Sequence, residues 1–258
     1  IMSLHEGALA TARFEFRRSL TAGRLTAFFV LALFPPAITT VLSLLPVGPP
    51  LEWPIGETTL VICLLSNMLW ATPVVYNELE GKTWIFSAAR PGGKMALLLG
   101  KYVISVAWTT AVCLSAVTLS IAIAAWWQPG PDYTKIWGTL AGLAILSSIG
   151  YAAMFTLIGT LFHRRSMMVA MGYCIISEVA IAQIPAVIGK LTISSHLYHV
   201  ILHSFAPKEW LESPDLIAVV GEQAIGLRCF AILLIAGVAM GASLFTIGNR
   251  EYLTTDES

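Results

Sequence analysis

The sequence predicts an all-α membrane protein, and three observations support this fold class. Hydrophobic residues make up 57% of the 258 positions and charged residues only 12%, with a mean hydropathy of +0.77; this composition is typical of chains that reside in lipid. Several apolar runs reach the roughly 20 residues that a helix needs to cross a hydrocarbon core of about 30 Å. These runs are continuous, whereas barrel strands alternate every second residue, so helices are predicted.

Six segments match the length of a membrane span. They are residues 25–45, 58–76, 96–127, 137–162, 167–189 and 229–248. We therefore predict a single membrane domain over 1–258, in which the spans are joined by parts with separate roles. These parts are an interfacial helix at 1–24, spans at 25–76, a cytoplasmic loop at 77–95, spans at 96–189, an external re-entrant segment at 190–227, and a last span with a cytoplasmic tail at 228–258. Pro35, Pro36 and Pro185 predict kinks within their spans.

The distribution of basic residues predicts the orientation. Alternate connections carry 11 of the 15 lysines and arginines on one side and 4 on the other. The first group is Arg13, Arg17, Arg18, Arg24, Lys82, Arg90, Lys94, Lys101, Arg164, Arg165 and Arg250; the second is Lys135, Lys190, Lys208 and Arg228. Because basic residues are retained in the cytoplasm, both termini are predicted to be cytoplasmic in a multi-pass protein of the cell membrane.

The segment before the first span has the spacing of an amphipathic helix. Leu9, Ala12, Phe16 and Leu20 fall on one stripe and basic residues on another, which predicts a helix lying in the cytoplasmic interface. Two roles are open for such a helix: an elbow that carries force into the first span, or a docking surface for a cytosolic partner. The alternative is a basic flank that only sets topology.

Several classes of function are disfavoured by the residues. A net charge of zero offers no general basic surface for nucleic acid. The triplet Gly81-Lys82-Thr83 ends many phosphate-binding loops, but the first glycine of that motif is missing at Tyr76 and a membrane span precedes it. The spans contain no Ser-His pair, HExxH motif or aspartate dyad, so neither an ATP site nor an intramembrane enzyme is expected.

The polar loop between the second and third spans carries a loose motif. An acidic residue at Glu78 or Glu80, then Gly81 with Thr83, Pro91, and finally Gly100-Lys101 follow one another in order. With the six spans and the N-terminal helix, this pattern resembles the permease subunits of ABC-2 type transporters over the whole length of the chain. Lys82 departs from the family pattern, in which the glycine and threonine are often adjacent.

The resemblance implies that the loop forms a coupling helix. This helix would contact a separate cytosolic ABC ATPase subunit, and that subunit alone would bind ATP and Mg. The contact would involve Glu78, Glu80, Gly81, Thr83, Trp84, Phe86 and Pro91. We also predict that the charged side chains of the loop face water, beside an apolar ridge at Trp84, Ile85 and Phe86. These charged residues are Glu78, Glu80, Lys82, Arg90 and Lys94.

The same resemblance implies pairing with a second permease copy, as a homodimer or with a related permease, and export across a bacterial inner membrane. No cofactor is expected on this chain itself. The alternative function is a non-transporting membrane anchor or assembly protein, which would require no ATPase partner.

Two polar groups are predicted at membrane depth in the fifth span, Glu178 and Gln183. An ionisable side chain there costs about 2.5 to 3.5 kcal/mol on insertion scales, so Glu178 is expected to face protein or water. It either lines a substrate or proton path between two subunits or is a carboxyl group hydrogen-bonded to Ser147, Ser148, Thr156 or a backbone carbonyl.

Three histidines in the external segment share one helical face. His196, His199 and His203 are spaced i, i+3 and i+7, a pattern that could hold zinc or copper. The favoured interpretation is interfacial histidines on an amphipathic external helix without a metal.

Overall fold

The chain is an all-α membrane protein. A computed structural model describes residues 4–45, 51–90, 92–128, 130–180, 192–205 and 224–252, and within these ranges every regular element is a helix. Five of the helices are long and apolar enough to cross a membrane. The chain is therefore a multi-pass membrane protein, as the composition predicts.

Ten α-helices follow one another within the described ranges. They are α1 (Leu4–Ser19), α2 (Ala22–Ser43), α3 (Glu52–Ala71), α4 (Tyr76–Glu80), α5 (Trp84–Ala88), α6 (Gly93–Trp127), α7 (Tyr133–Leu161), α8 (Ser166–Tyr173), α9 (Ile193–Phe205) and α10 (Ile225–Asn249). A 3-10 turn at Thr72–Val74 extends α3, and a π-helix at Cys174–Ala180 extends α8. The five candidate spans are α2, α3 with its 3-10 turn, α6, α7 and α10.

The predicted fifth span is only partly described. Its first part is the short helix α8, which widens into the π-helix that holds Glu178. The rest of the predicted span, with Gln183 and Pro185, lies outside the described residues. Five full-length candidate spans are thus present in the described ranges, where six were predicted.

The central helix of the bundle is α7. In its most apolar stretch 67% of the residues are buried, against 22% in α2 and 28% in α10. Small side chains let α3, α6 and α10 approach it closely, and the aromatic rings of Tyr151 and Phe155 fill the space that remains, both with exposure of 1% or less. The outer faces of α2 and α10 carry exposed large apolar side chains such as Phe29 and Phe245, as lipid-facing helices do.

Two glycines mark the closest helix contacts. A Cβ atom at Gly159 of α7 would lie 2.2 Å from the backbone oxygen of Thr72, and one at Gly100 of α6 would lie 2.7 Å from Cβ of Thr11 in α1. In contrast, Cβ atoms at Gly138, Gly142, Gly237 and Gly241, which have the GxxxG spacing, would meet nothing within 4 Å. Close packing inside this chain therefore depends on Gly100 and Gly159.

Helix α9 is more deeply placed than an external helix at a membrane surface. Three of its residues, Ile193, Leu197 and Ile201, are fully buried in the main hydrophobic core. The ring of Tyr198, also in α9, contacts the ring of Trp53 at the start of α3, with the two ring centroids 5.6 Å apart. Residues 206–223 of the predicted re-entrant segment lie outside the described residues.

Candidate functional site

The four predicted cytoplasmic parts meet at one end of the bundle, which we call the basic end. It comprises α1, residues 75–90 and 92, residues 162–165 and residues 250–252. Direct contacts hold these parts together. The side chain of Arg18 in α1 donates a hydrogen bond to Glu78 at 3.0 Å, and the guanidinium of Arg250 donates one to the carbonyl of Leu161 at 2.7 Å. The rings of Tyr252 and Trp84 are in contact, with their centroids 5.0 Å apart. This grouping agrees with the alternation of the connections.

A buried ion cluster ties α1, α4 and α6 together at this end. Glu78 accepts from Nζ of Lys101 at 2.7 Å and from Nη1 of Arg18 at 3.0 Å. Glu15 lies 3.6 Å from Arg18 and 3.9 Å from Lys101. Two carboxylates and two cations therefore balance, and Lys101 also donates to the carbonyl of Val74 at 3.0 Å. We call Glu15, Arg18, Glu78 and Lys101 the ion cluster.

The prediction that Glu78 faces water is wrong. Its exposed fraction is 3%, because α1 and α6 pack over α4 and bring their cations to it. Glu80, two positions later on the five-residue helix α4, is exposed. Of the two acidic residues that could match the loop motif, Glu78 is the one that binds Lys101 of the Gly100-Lys101 pair.

The surroundings of Glu78 favour its charged form. Burial alone would raise the pKa of this carboxyl, but the nearby charge and hydrogen bond of Lys101, a bond from Thr83 and the charge of Arg18 outweigh it and hold the pKa below its ordinary value. A carboxylate with two cationic partners is thus the stable species in this cluster at neutral pH.

The turn between α4 and α5 is fixed by Thr83 and Lys82. The hydroxyl of Thr83 donates to the carboxylate of Glu78, and its backbone N–H donates to the Glu78 carbonyl at 3.0 Å. Lys82 takes the left-handed conformation with φ of 54°, whereas Gly81 has φ of −77°. The residue that departs from the family pattern is therefore the one that makes the turn.

Helix α5 is anchored at one residue and exposed at the next two. Trp84 is 4% exposed and packs against Tyr252 in a small cluster with Leu97 and Ile247. Ile85 is 60% exposed and Phe86 is 73% exposed. The predicted apolar ridge is therefore reduced to Ile85 and Phe86, because Trp84 is needed to pack the loop on α6 and α10. Pro91 lies outside the described residues.

Glu178 is enclosed by hydrogen-bond donors inside the bundle. Its carboxyl group accepts from the phenols of Tyr151 at 2.9 Å and Tyr173, and from the backbone N–H of Ser194 at 2.9 Å. These partners differ from the predicted ones, since Ser147 and Ser148 contact Cys63 instead. Glu178 joins the π-helix to α7 and to the start of α9, and its exposed fraction is 6%.

Two substitutions at Glu178 should differ in their effect on stability. Glu178→Gln keeps an acceptor for Tyr151 and Ser194 and can donate to Tyr173, so we expect a loss of unfolding free energy below about 1 kcal/mol. Glu178→Leu leaves two phenols and an N–H without acceptor, and a loss of about 3 kcal/mol is expected. Unfolding of the purified protein in increasing dodecyl sulfate measures both; equal losses would contradict this hydrogen-bond arrangement.

The three histidines do not form a common group. His196 and His199 are buried, with exposures of 5% and 3%, and Nδ1 of His196 lies 3.5 Å from Arg228 of α10. His203 lies on the exposed side of α9, with its ring 6.4 Å from that of His199. Among the described residues no group of three His, Cys, Asp or Glu side chains is placed to hold a metal ion.

The comparisons with known proteins do not assign this chain to a family. No protein-family model matches it, and no curated protein is similar to it. The fold therefore defines the class as an all-α multi-pass membrane protein, in which an ion cluster and an anchored polar loop close one end of the bundle.

Proposed function

We propose that this chain is the membrane-spanning permease subunit of an ATP-driven exporter of the ABC-2 type. A separate cytosolic ATPase subunit would bind ATP and Mg, and two permease copies would pair around the transport path. The exposed pair Ile85 and Phe86 on the anchored helix α5 is the observation that carries this proposal. The loop motif supports it through the resemblance to ABC-2 type permeases.

The mechanical links of α5 support a role in coupling. On one side Trp84 packs on Tyr252 and on residues of α6 and α10. On the other side Thr83 bonds Glu78, whose carboxylate binds cations from α1 and α6. A displacement of α5 is therefore transmitted to helices that cross the membrane and to the interfacial helix α1, since packed elements move as units.

An apolar pair at this position suits a protein partner. Large exposed apolar side chains at the rim of a polar surface are typical of interaction sites. Because residues 77–95 are predicted to lie in the cytoplasm, the partner would be a cytosolic protein, and an ATPase subunit is the partner that the loop motif implies.

Photocrosslinking tests the proposed partner. A photoreactive amino acid at position 86 should capture a nucleotide-binding protein in membranes of the native cell, and Ile85→Ser/Phe86→Ser should lower co-purification of that protein by about tenfold, as loss of a hot spot does. Phe162→Ser is the matched control, because Phe162 is 49% exposed at the same end of the bundle but lies outside α5.

Two results would overturn the proposal. In the first, the photoreactive residue at position 86 captures no nucleotide-binding protein, while the same residue at position 162 shows that the chain is correctly inserted. The other is export activity that persists after the captured ATPase has been removed. Retained co-purification in the double serine variant would place the contact elsewhere on the basic end.

A further inference from the structure

A polar cleft opens at the basic end, beside the ion cluster. It has a volume of about 350 Å³ and is lined by Arg18, Thr21, Arg24, Asn77, Glu80 and Gly81. This volume is within the range of small-ligand sites. The cleft separates the junction of α1 and α2 on one wall from α4 on the other, and Arg24 and Asn77 continue into a narrower cavity below it.

Two side chains in the cleft lack a protein partner among the described residues. Arg24, in the first turn of α2, makes no hydrogen bond or ion pair there, and neither does the side-chain amide of Asn77; both are half-buried. Glu15 of the ion cluster is near enough to act on the charge of Arg24 but makes no ion pair with it. A partly buried arginine without a hydrogen-bonded partner is costly, because its five N–H donors have lost part of their water. The neighbouring Arg18 is paired with Glu78 through Nη1 only.

Donors without a hydrogen-bond partner face this space, together with two acidic side chains. The first N–H groups of any helix have no intrahelical partner, and in α2 the side chain of Thr21 does not cap them. In the narrower cavity, which has room for one water, the hydroxyl of Ser105, the indole N–H of Trp70 and the carboxylate oxygen Oε1 of Glu15 have no hydrogen-bond partner among the described residues. Glu80 is the one exposed acidic side chain in the lining of the cleft.

The depth of the cleft suits a lipid headgroup. Arg24 lies in the first turn of a candidate span, where the polar interface meets the hydrocarbon core. Below it the rings of Phe16, Trp70 and Phe28 surround Trp108, with centroid distances of 6.1, 6.2 and 5.7 Å. Aromatic rings of this kind concentrate at the level of headgroups and upper acyl chains.

We propose that the cleft between α1, α2 and α4 binds the phosphate group of an anionic ligand, with Arg24 and Asn77 as its principal donors. Guanidinium groups bind phosphate through paired N–H donors, which Lys cannot reproduce. A phosphate here would also hold α1 against α4, next to the ion cluster. The same chemistry is offered by an anionic phospholipid headgroup and by free inorganic phosphate, and the experiment separates the two.

Lipid retention by the purified full chain tests the site. The protein is extracted from vesicles of equal parts phosphatidylglycerol and phosphatidylcholine, and native mass spectrometry counts the lipids that remain bound. The wild-type chain should retain phosphatidylglycerol in preference to phosphatidylcholine. Arg24→Gln should lower the retention of phosphatidylglycerol by about fivefold, which is the effect of removing one cation beside an anionic lipid, and Arg24→Lys should lower it less.

Arg13→Gln is the control, because Arg13 is an exposed residue of α1 outside the cleft. This substitution should leave the retention unchanged.

Inorganic phosphate identifies the source of the anion. Displacement of phosphatidylglycerol by millimolar phosphate would show that the cleft accepts the free ion, and resistance to displacement would show that the lipid is required; either result supports a phosphate site. The proposal is overturned if the wild type shows no preference, or if Arg13→Gln and Arg24→Gln reduce retention equally. Should Arg24→Gln fail to fold, Asn77→Ala decides instead, since retention equal to that of the wild type would exclude the cleft.

Discussion

Replacing Glu78 with Gln should lower the free energy of unfolding by about 3 kcal/mol, since the buried ammonium of Lys101 is left without its nearest carboxylate. Lys101 loses its contact at 2.7 Å, and the partners it keeps are the Val74 carbonyl at 3.0 Å and the carboxylate of Glu15 at 3.9 Å. The loss is expected at the lower end of the range for buried pairs, because the side chain of Arg18 is 39% exposed and regains water. Unfolding in increasing dodecyl sulfate, followed by helical circular dichroism, measures the loss.

Glu80→Gln is the matched control for this substitution. Glu80 lies on the same short helix but is exposed, so its replacement should change the unfolding free energy by less than about 0.5 kcal/mol.

The effect of Glu78→Gln on the unfolding free energy should also depend on pH. Because the native pKa of Glu78 is lowered, its stabilising contribution is present above the ordinary carboxyl pKa and is lost as the pH falls through the native value. A difference between wild type and Glu78→Gln that persists at acid pH would contradict the ion cluster.

Gly159→Ala should be the most damaging single-methyl substitution in the bundle. The added Cβ would lie 2.2 Å from the backbone oxygen of Thr72, so α7 and the 3-10 turn that follows α3 must separate. Overpacking of this kind costs about 3 kcal/mol when the obstacle is backbone rather than a movable side chain. A lowered thermal midpoint and a reduced yield of monodisperse protein in detergent are the expected observations.

Gly138→Ala provides the control on the same helix. A Cβ atom there meets nothing within 4 Å, and alanine favours a helix over glycine by about 1 kcal/mol, so this variant should be as stable as the wild type or more so. Stability of Gly159→Ala equal to that of Gly138→Ala would show that α7 does not approach Thr72 as closely as described.

The length of the continuous apolar runs was sufficient to predict most of the membrane helices. Continuous runs predicted the five candidate spans with their ends within a few residues, except at the start of α3, which begins at Glu52 rather than residue 58. The prediction was weakest at 167–189. There α8 gives way to a π-helix whose wider turn lets Glu178 reach Tyr151 and Ser194, and composition alone carries no signal for that change.

The candidate site was predicted only in part, because sequence spacing does not show which charges meet. The motif residues Glu78, Thr83 and Lys101 were singled out on family resemblance, and the structure brings them together. Glu15 and Arg18 could not have been assigned to them, since Arg18, the nearer of the two in the chain, lies 60 positions before Glu78. Trp84 is a large apolar residue like its neighbours Ile85 and Phe86, so the sequence does not show that it is buried. Its burial becomes evident only from its packing against Tyr252.

The contacts of residues 250–252 also set an order of assembly during synthesis. Arg250 donates a hydrogen bond to the carbonyl of Leu161 and Tyr252 donates one to the carbonyl of Thr160. The ring of Tyr252 also packs on Trp84. Arg250 and Tyr252 are translated after all the helices that they contact. In a nascent chain that stops within α10, Trp84 and the last carbonyls of α7 therefore still lack these partners.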